Sequence, residues 1–244
     1  MSFRVTALSD IGKVRKSNED SWGAFPDASL FVVADGMGGH KAGDVASHLA
    51  VQTIYEVLKG KQPPLDSQVE QASHYLNDSI QRANLRIYEE GKKNPGRTGM
   101  GTTVVAVWMG KGSASIAYVG DSRAYLLRKS HLRLVTSDHT LVNDYVSKGL
   151  LQPNEAEQHP LRHVLSKAVG PQEHVEADLI NLATQPGDIF LLCTDGLSNM
   201  VSKDLMEEIL NSPDELIRKN EKLIQVANES GGSDNVTALL IECT

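Results

Sequence analysis

The sequence predicts an α+β layered domain. Three observations carry that expectation. Short β-branched and aliphatic runs cluster in the middle and at both ends of the chain; two long segments carry helical periodicity; and the order is not a strict βα alternation, which disfavours a doubly wound parallel sheet. The 244 residues fit one domain with a well-buried core, and no linker, repeat or low-complexity tract divides them, so residues 1–244 are expected to form a single domain.

In chain order, the expected strands are Phe3–Leu8, Leu30–Ala34, Thr102–Val107, Ser115–Val119, Ala124–Leu127, Asp188–Cys193 and Thr237–Glu242, each bounded by turn formers. Gly43–Leu58 and Val69–Glu90 repeat apolar residues on one helical stripe, the second through Leu76, Ile80, Ala83 and Ile87. Shorter helices are expected at Leu141–Lys148, Ser202–Leu210 and Asp214–Ser230, and loops at Pro63–Pro64, Asn94–Gly96 and Gly231–Gly232.

Composition narrows the function. Acidic residues outnumber basic ones 31 to 24, a formal charge of −7, which argues against nucleic acid or anionic lipid as a partner. Two cysteines, both inside apolar runs, fit neither a disulfide scaffold nor a zinc site and point to a reducing compartment. The N-terminus has no uninterrupted apolar stretch, so neither a signal peptide nor a spanning helix is expected, and a soluble cytoplasmic protein is implied.

A recurrence carries the chemistry. LFVVADG ends in Asp35–Gly36, IAYVGDS in Asp121 and IFLLCTDG in Asp195–Gly196, while SDNVTALLIEC begins with Asp234–Asn235. Any one of these is an ordinary turn pair. Together they set four carboxylates at strand ends, where side chains from distant sequence can converge on one rim. Such convergence is unfavourable without a cation, and a hard divalent ion held by oxygen ligands is its natural counterpart. Glu19–Asp20 after the first strand adds an acidic pair that alone would read as a solvated turn.

KVRKSNED, VVADGMGGHKAG, GTT, VGDSRAY, TSDHT, EAEQHPLRHVLSKAVG, LLCTDGLS and GGSDNVT occur in the order found in bacterial PPM (type 2C) phosphatases, and the resemblance spans nearly the whole chain. It implies a central β-sandwich of two antiparallel sheets flanked by helices, with a binuclear Mn²⁺ or Mg²⁺ centre at one end. By motif position, Asp35 would bridge both metals, the Gly36 carbonyl would bind the second, and Asp195 and Asp234 would complete the first. Glu19 and Asp20 would act through metal-bound waters, and Asp121 with Asp195 would hold a third, weaker ion. Arg15 resembles the family's phosphate clamp, a role its planar fork suits. The stretch Asp138–Gly170 resembles the flap beside the cleft.

The implied activity is hydrolysis of phosphoserine and phosphothreonine in proteins, opposing a cognate kinase, in a monomer. Two metals ~4 Å apart lower the pKa of a bridging water, which attacks phosphorus without a covalent intermediate. Neither Cys193 nor Cys243 lies in the C-x₅-R arrangement of cysteine phosphatases, and both read as core residues. Two alternatives remain: a hydrolase of small phosphoesters, and a catalytically weak phosphoprotein-binding module. A nucleotide-binding loop at Gly36–Lys41 fails, because His40 precedes Lys41 and Ala42 follows it.

The histidines show no metal-ligand spacing. His40 and His139 are expected near the cleft, and the others, including His159 and His163, as structural or surface groups. Animal and plant relatives resemble D-G-H, with a histidine placed to protonate the leaving oxygen, whereas here Met37 follows Asp35–Gly36. A thioether cannot donate a proton. The donor is then a metal-bound water or His40, with water the expectation and His40 a possible substrate contact.

Overall fold

The computed structural model describes residues 2–38, 42–63, 69–156 and 158–244. Its strands are β1 (Phe3–Asp10), β2 (Asp20–Phe25), β3 (Leu30–Met37), β4 (Gly101–Thr102), β5 (Val104–Met109), β6 (Ser113–Val119), β7 (Arg123–Arg128), β8 (His131–Leu134), β9 (Asp178–Ala183), β10 (Ile189–Cys193) and β11 (Val236–Cys243). Its helices are α1 (Ala42–Leu58), α2 (Val69–Lys93), α3 (Leu141–Ser147), α4 (Pro153–Ala156), α5 (Asp195–Ser198), α6 (Lys203–Asn211) and α7 (Leu216–Glu229).

Among the described residues the strands form two antiparallel sheets, ordered β1-β11-β10-β7-β8 and β2-β3-β5-β6-β9, with β4 pairing the end of β3. Burial on both faces explains the unbroken apolar runs of the central strands. Along β3, Phe31 and Val33 meet Phe190, Leu192, Leu239 and Ile241 in the layer between the sheets. The alternate residues Leu30, Val32 and Ala34 face Ile54, Leu76, Ile80 and Ile87 of α1 and α2. On the far side, Leu191 and Leu240 pack under Met206, Leu223 and Ile224 of α6 and α7. The result is the expected helix-flanked β-sandwich.

Some boundaries differ from expectation for local reasons. The run Thr102–Val107 is not one strand: Thr102 pairs with Gly36 in β4, and β5 starts at Val104. Ser202 is the N-cap of α6, its hydroxyl accepting from Leu205 N–H at 3.3 Å, so that helix begins one residue later. β2, β8 and β9 were not expected. Each lies at the edge of a sheet with part of its length exposed, so none has the apolar run that marks β3 or β10. No helix among the described residues is long and apolar enough to cross a membrane.

Candidate active site

The site lies where β3, β7, β10 and β11 end or begin. Asp35 sits on β3 directly opposite Asp20 of β2, a cross-strand pairing of like charges that costs stability unless something answers it. Its backbone is gripped from the neighbouring turn: Asp35 N–H donates to the Thr103 hydroxyl at 3.0 Å, and the Thr102 hydroxyl donates to Asp35 C=O at 2.8 Å. Thr103 Oγ1 lies 2.6 Å from Ser122 Oγ, which ties this turn to the residue after Asp121.

The Asp-Gly pairs have a packing reason. A Cβ on Gly36 would collide with the Gly43 and Glu19 carbonyls, and one on Gly196 with the Asn235 carbonyl. Bare backbone lets α1 close on Asp35, and lets Asp195 at the start of α5 lie beside Asp234. Asn235 does more than end a turn. Its amide donates to Ile11 and Ser17 carbonyls at 3.0 and 2.9 Å, and its oxygen accepts from Glu19 N–H at 2.8 Å. It thereby clamps both ends of the loop that carries Arg15, whose Nη2 donates to Asp234 Oδ2 at 2.6 Å.

Asp20 lies behind this rim. Its Oδ2 accepts from the Thr194 and Thr237 hydroxyls at 2.9 and 2.6 Å, whereas its Oδ1 is buried without a hydrogen-bond partner. Asp195 Oδ1 is buried and unpartnered as well.

Crowding perturbs the carboxyl groups. Burial, and then the fields of Asp20, Asp195, Asp121 and Asp234, hold the Asp35 carboxyl well above the ordinary range. Burial pushes Asp20 up to about 7 against the lowering effect of its two threonine donors. Burial and then Asp195 push Asp121 up to about 7. Burial raises Asp195, with Asp234 adding to it, and burial raises Glu19, with Asp44 adding to it. Six acids drawn together, two with orphaned oxygens, are a donor set for hard cations. Among the described residues, no three His, Cys, Asp or Glu side chains stand close enough together to hold an ion between them. The donors ring an open cleft instead, which suits ions that keep part of their water shell.

That cleft, of about 1230 Å³, brings together Arg15, Glu19, Asp35, Gly36, Asp121, Asp195 and Asp234. Its far wall is residues 162–168, 171–172 and 174–176, so the expected flap contributes only its last part and the wall runs beyond Gly170. His163 and His174, expected to be structural or surface groups, line the cleft. His139 does not: its Nδ1 accepts from Gly120 N–H at 3.0 Å, its Nε2 lies 3.3 Å from Asp178, and its ring stacks on Tyr118. His40 lies outside the described residues. Met37 lines the cleft beside Gly101.

A carboxylate-ringed cleft at one end of a helix-flanked β-sandwich is the arrangement that the resemblance to PPM phosphatases implies. The protein phosphatase 2C family model matches residues 13–240. The chain is 41% identical over 236 residues to the serine/threonine phosphatase stp of Listeria monocytogenes, covering 96% of this chain and 93% of that protein. It is similar to the serine/threonine phosphatase PstP/Ppp of Mycobacterium tuberculosis, with a TM-score of 0.91, 35% identity, and 100% and 99% of the two chains covered. The PstP catalytic domain solved with two manganese ions superposes with a TM-score of 0.86 at 35% identity, over 98% of this chain and 97% of that one. The chain belongs to the protein phosphatase 2C family and is an enzyme of its serine/threonine phosphatase class.

Proposed function

We propose that residues 1–244 form one catalytic domain that dephosphorylates phosphoserine and phosphothreonine in proteins at a dinuclear Mn²⁺ or Mg²⁺ centre. Asp35 and the Gly36 carbonyl would hold one ion and Asp35, Asp195 and Asp234 the other. Glu19 and Asp20 stand in the outer shell, and Asp121 with Asp195 forms a weaker third site. The ions would supply a water nucleophile at neutral pH and charge stabilisation for the phosphoryl oxygens. The observation that supports this reading best is the gathering of Asp35, Asp121, Asp195 and Asp234 at one cleft with Asp20 behind them, and buried orphaned oxygens on Asp20 and Asp195.

The chain's own residues then divide the work. Arg15, whose side chain is 55% exposed, spends only Nη2 on Asp234, so its remaining N–H groups can meet phosphate oxygens at the cleft mouth. Asn235 fixes the loop from which Arg15 projects. Met37 lines the cleft but has no proton to give, so the leaving serine or threonine oxygen needs another donor; of water at the site and His40, water is our choice. The flap at 138–170 and its continuation to 176 would meet the substrate protein. The family relationship supports phosphoproteins and a cognate kinase as partners, the acidic charge disfavours nucleic acid and anionic membrane, and a monomer in the cytoplasm completes the reading.

Chelation tests the reading. Exhaustive metal removal should abolish turnover of a phosphothreonine peptide, and added Mn²⁺ should restore it. Turnover at the original rate in stripped protein would overturn the metal-centred function.

A further inference from the structure

Asp20 is held by a ring of hydrogen bonds whose direction can be deduced. Asp20 N–H donates to Asn18 Oδ1 at 3.1 Å, which fixes the orientation of the Asn18 amide. The Asn18 NH₂ therefore faces Ser9, donating to its Oγ at 2.8 Å. Ser9 Oγ lies 2.7 Å from Thr237 Oγ1, and Thr237 Oγ1 lies 2.6 Å from Asp20 Oδ2. With Asp20 ionised, as it would be with a cation beside it, the carboxylate has no proton to give, so Thr237 donates to Asp20 and Ser9 donates to Thr237. The ring starts at the backbone of Asp20 and closes on its side chain. Thr194 adds a second hydroxyl donor to the same oxygen while accepting Thr237 N–H at 3.0 Å, so its proton too is committed to Asp20. Thr194 and Thr237 are both fully buried, so solvent has no ready route to replace a lost hydroxyl.

We propose that Ser9, Thr194 and Thr237 are positioning residues of the metal site: their one-way hydrogen bonds hold Asp20 Oδ2 as a pure acceptor and keep Oδ1 free to serve the ions beside Asp35. The inference rests on the dinuclear reading above. None of the three lines the cleft, so none touches substrate. They act only through Asp20, which sits across the ladder from Asp35. Outer-shell groups of this kind typically alter metal affinity by 10–100-fold when removed.

The test is Mn²⁺ titration by calorimetry on metal-free protein, beside kcat and KM at saturating Mn²⁺. Thr237→Val keeps the branched shape in β11 and deletes the hydroxyl, and Thr237→Ser restores it. We expect Thr237→Val to weaken Mn²⁺ binding about 10-fold and lower kcat more than KM changes, with Thr237→Ser back within about 2-fold of wild type. Should the valine variant fail to fold, Ser9→Ala, one link further out, is expected to weaken Mn²⁺ binding by a smaller margin. A folded Thr237→Val, or failing that a folded Ser9→Ala, that melts earlier yet matches wild type in Mn²⁺ affinity and kcat would overturn the positioning role and leave only a structural one. Absence of Mn²⁺ binding by the wild type would instead overturn the dinuclear reading itself.

Discussion

The floor of the cleft and its far wall are built in opposite ways. On the floor, Asp35 lies two residues inside the end of β3, and Asp121, Asp195 and Asp234 lie two residues from the ends of β7, β10 and β11; all four are half-buried, with their backbones tied into ladders and turns. The wall has no strand. It is pinned at its base, where Val169 exchanges two 2.9 Å backbone bonds with Thr102 and Gly170 N–H donates to Asn84 Oδ1 at 2.7 Å. Further out, Leu161, Arg162, His163 and Val164 are exposed. Groups that must hold charged donors at fixed separations are placed on rigid elements, and groups that meet a variable partner are placed on a surface loop. Chemistry should therefore fail when the floor is altered, and preference should shift when the wall is.

The largest effect expected is on the floor. Asp35→Asn removes the charge at the most crowded position while nearly preserving shape, and kcat should fall at least ~10³-fold, about 4 kcal/mol of transition-state stabilisation. Steady-state kinetics on a phosphothreonine peptide with saturating Mn²⁺ checks it. A variant with near wild-type kcat would break the comparison, since the floor would then carry no chemistry.

A smaller effect follows from the raised carboxyl groups. In metal-free protein Asp20 and Asp121 are pushed from 3.8 up to about 7, so the folded state holds more protons than the unfolded state between those values. Stability then falls as pH rises through that window, and protonation favours the fold below it. Melting in chelator should occur several degrees lower near about pH 8 than near about pH 5.5, and Mn²⁺ should flatten or reverse the slope because ions and protons compete for the same oxygens. Asp121→Asn should remove part of the slope, whereas a wall substitution should leave it intact. Equal slopes in wild type and Asp121→Asn would show that Asp121 does not titrate in this window.

Legibility in the sequence followed the same divide. The runs LFVVA, IFLLC and VTALLI are readable as central strands because both faces are buried, and their terminal aspartates stand out for that reason. β2, β8 and β9 interrupt their apolar residues with polar or small ones at exposed edges, so none shows the continuous apolar run that marks a central strand. Thr194, Thr237 and Ser9 were invisible as a group: each is an ordinary strand or turn residue, and only the β1–β11 and β10–β11 registers bring them onto Asp20. Asn235 carried a faint signal as the polar residue between Asp234 and an apolar strand, but its hold on Ile11, Ser17 and Glu19 spans more than two hundred residues of sequence. His163 and His174 were misjudged because a histidine in a polar turn-rich segment has no periodicity to say which way it faces.

The smallest effect expected is at the wall. Val164 lines the cleft and is 41% exposed, while its backbone N–H and C=O are already committed to Leu161 and Leu141. Val164→Ser should therefore leave the local backbone in place and remove only apolar contact with residues flanking the phosphorylated side chain. Partial burial of one valine against a peptide is worth about 1 kcal/mol, so kcat/KM on phosphothreonine peptides should fall roughly fivefold. An aryl phosphate is too short to meet the rim while its phosphate sits on the floor, and its turnover should stay within about 2-fold of wild type. The ratio of the two kcat/KM values is the measurement. A proportional loss on both substrates would mean that Val164 shapes the catalytic floor, and the separation of chemistry from selection would have to be redrawn on the floor's side of Ser166.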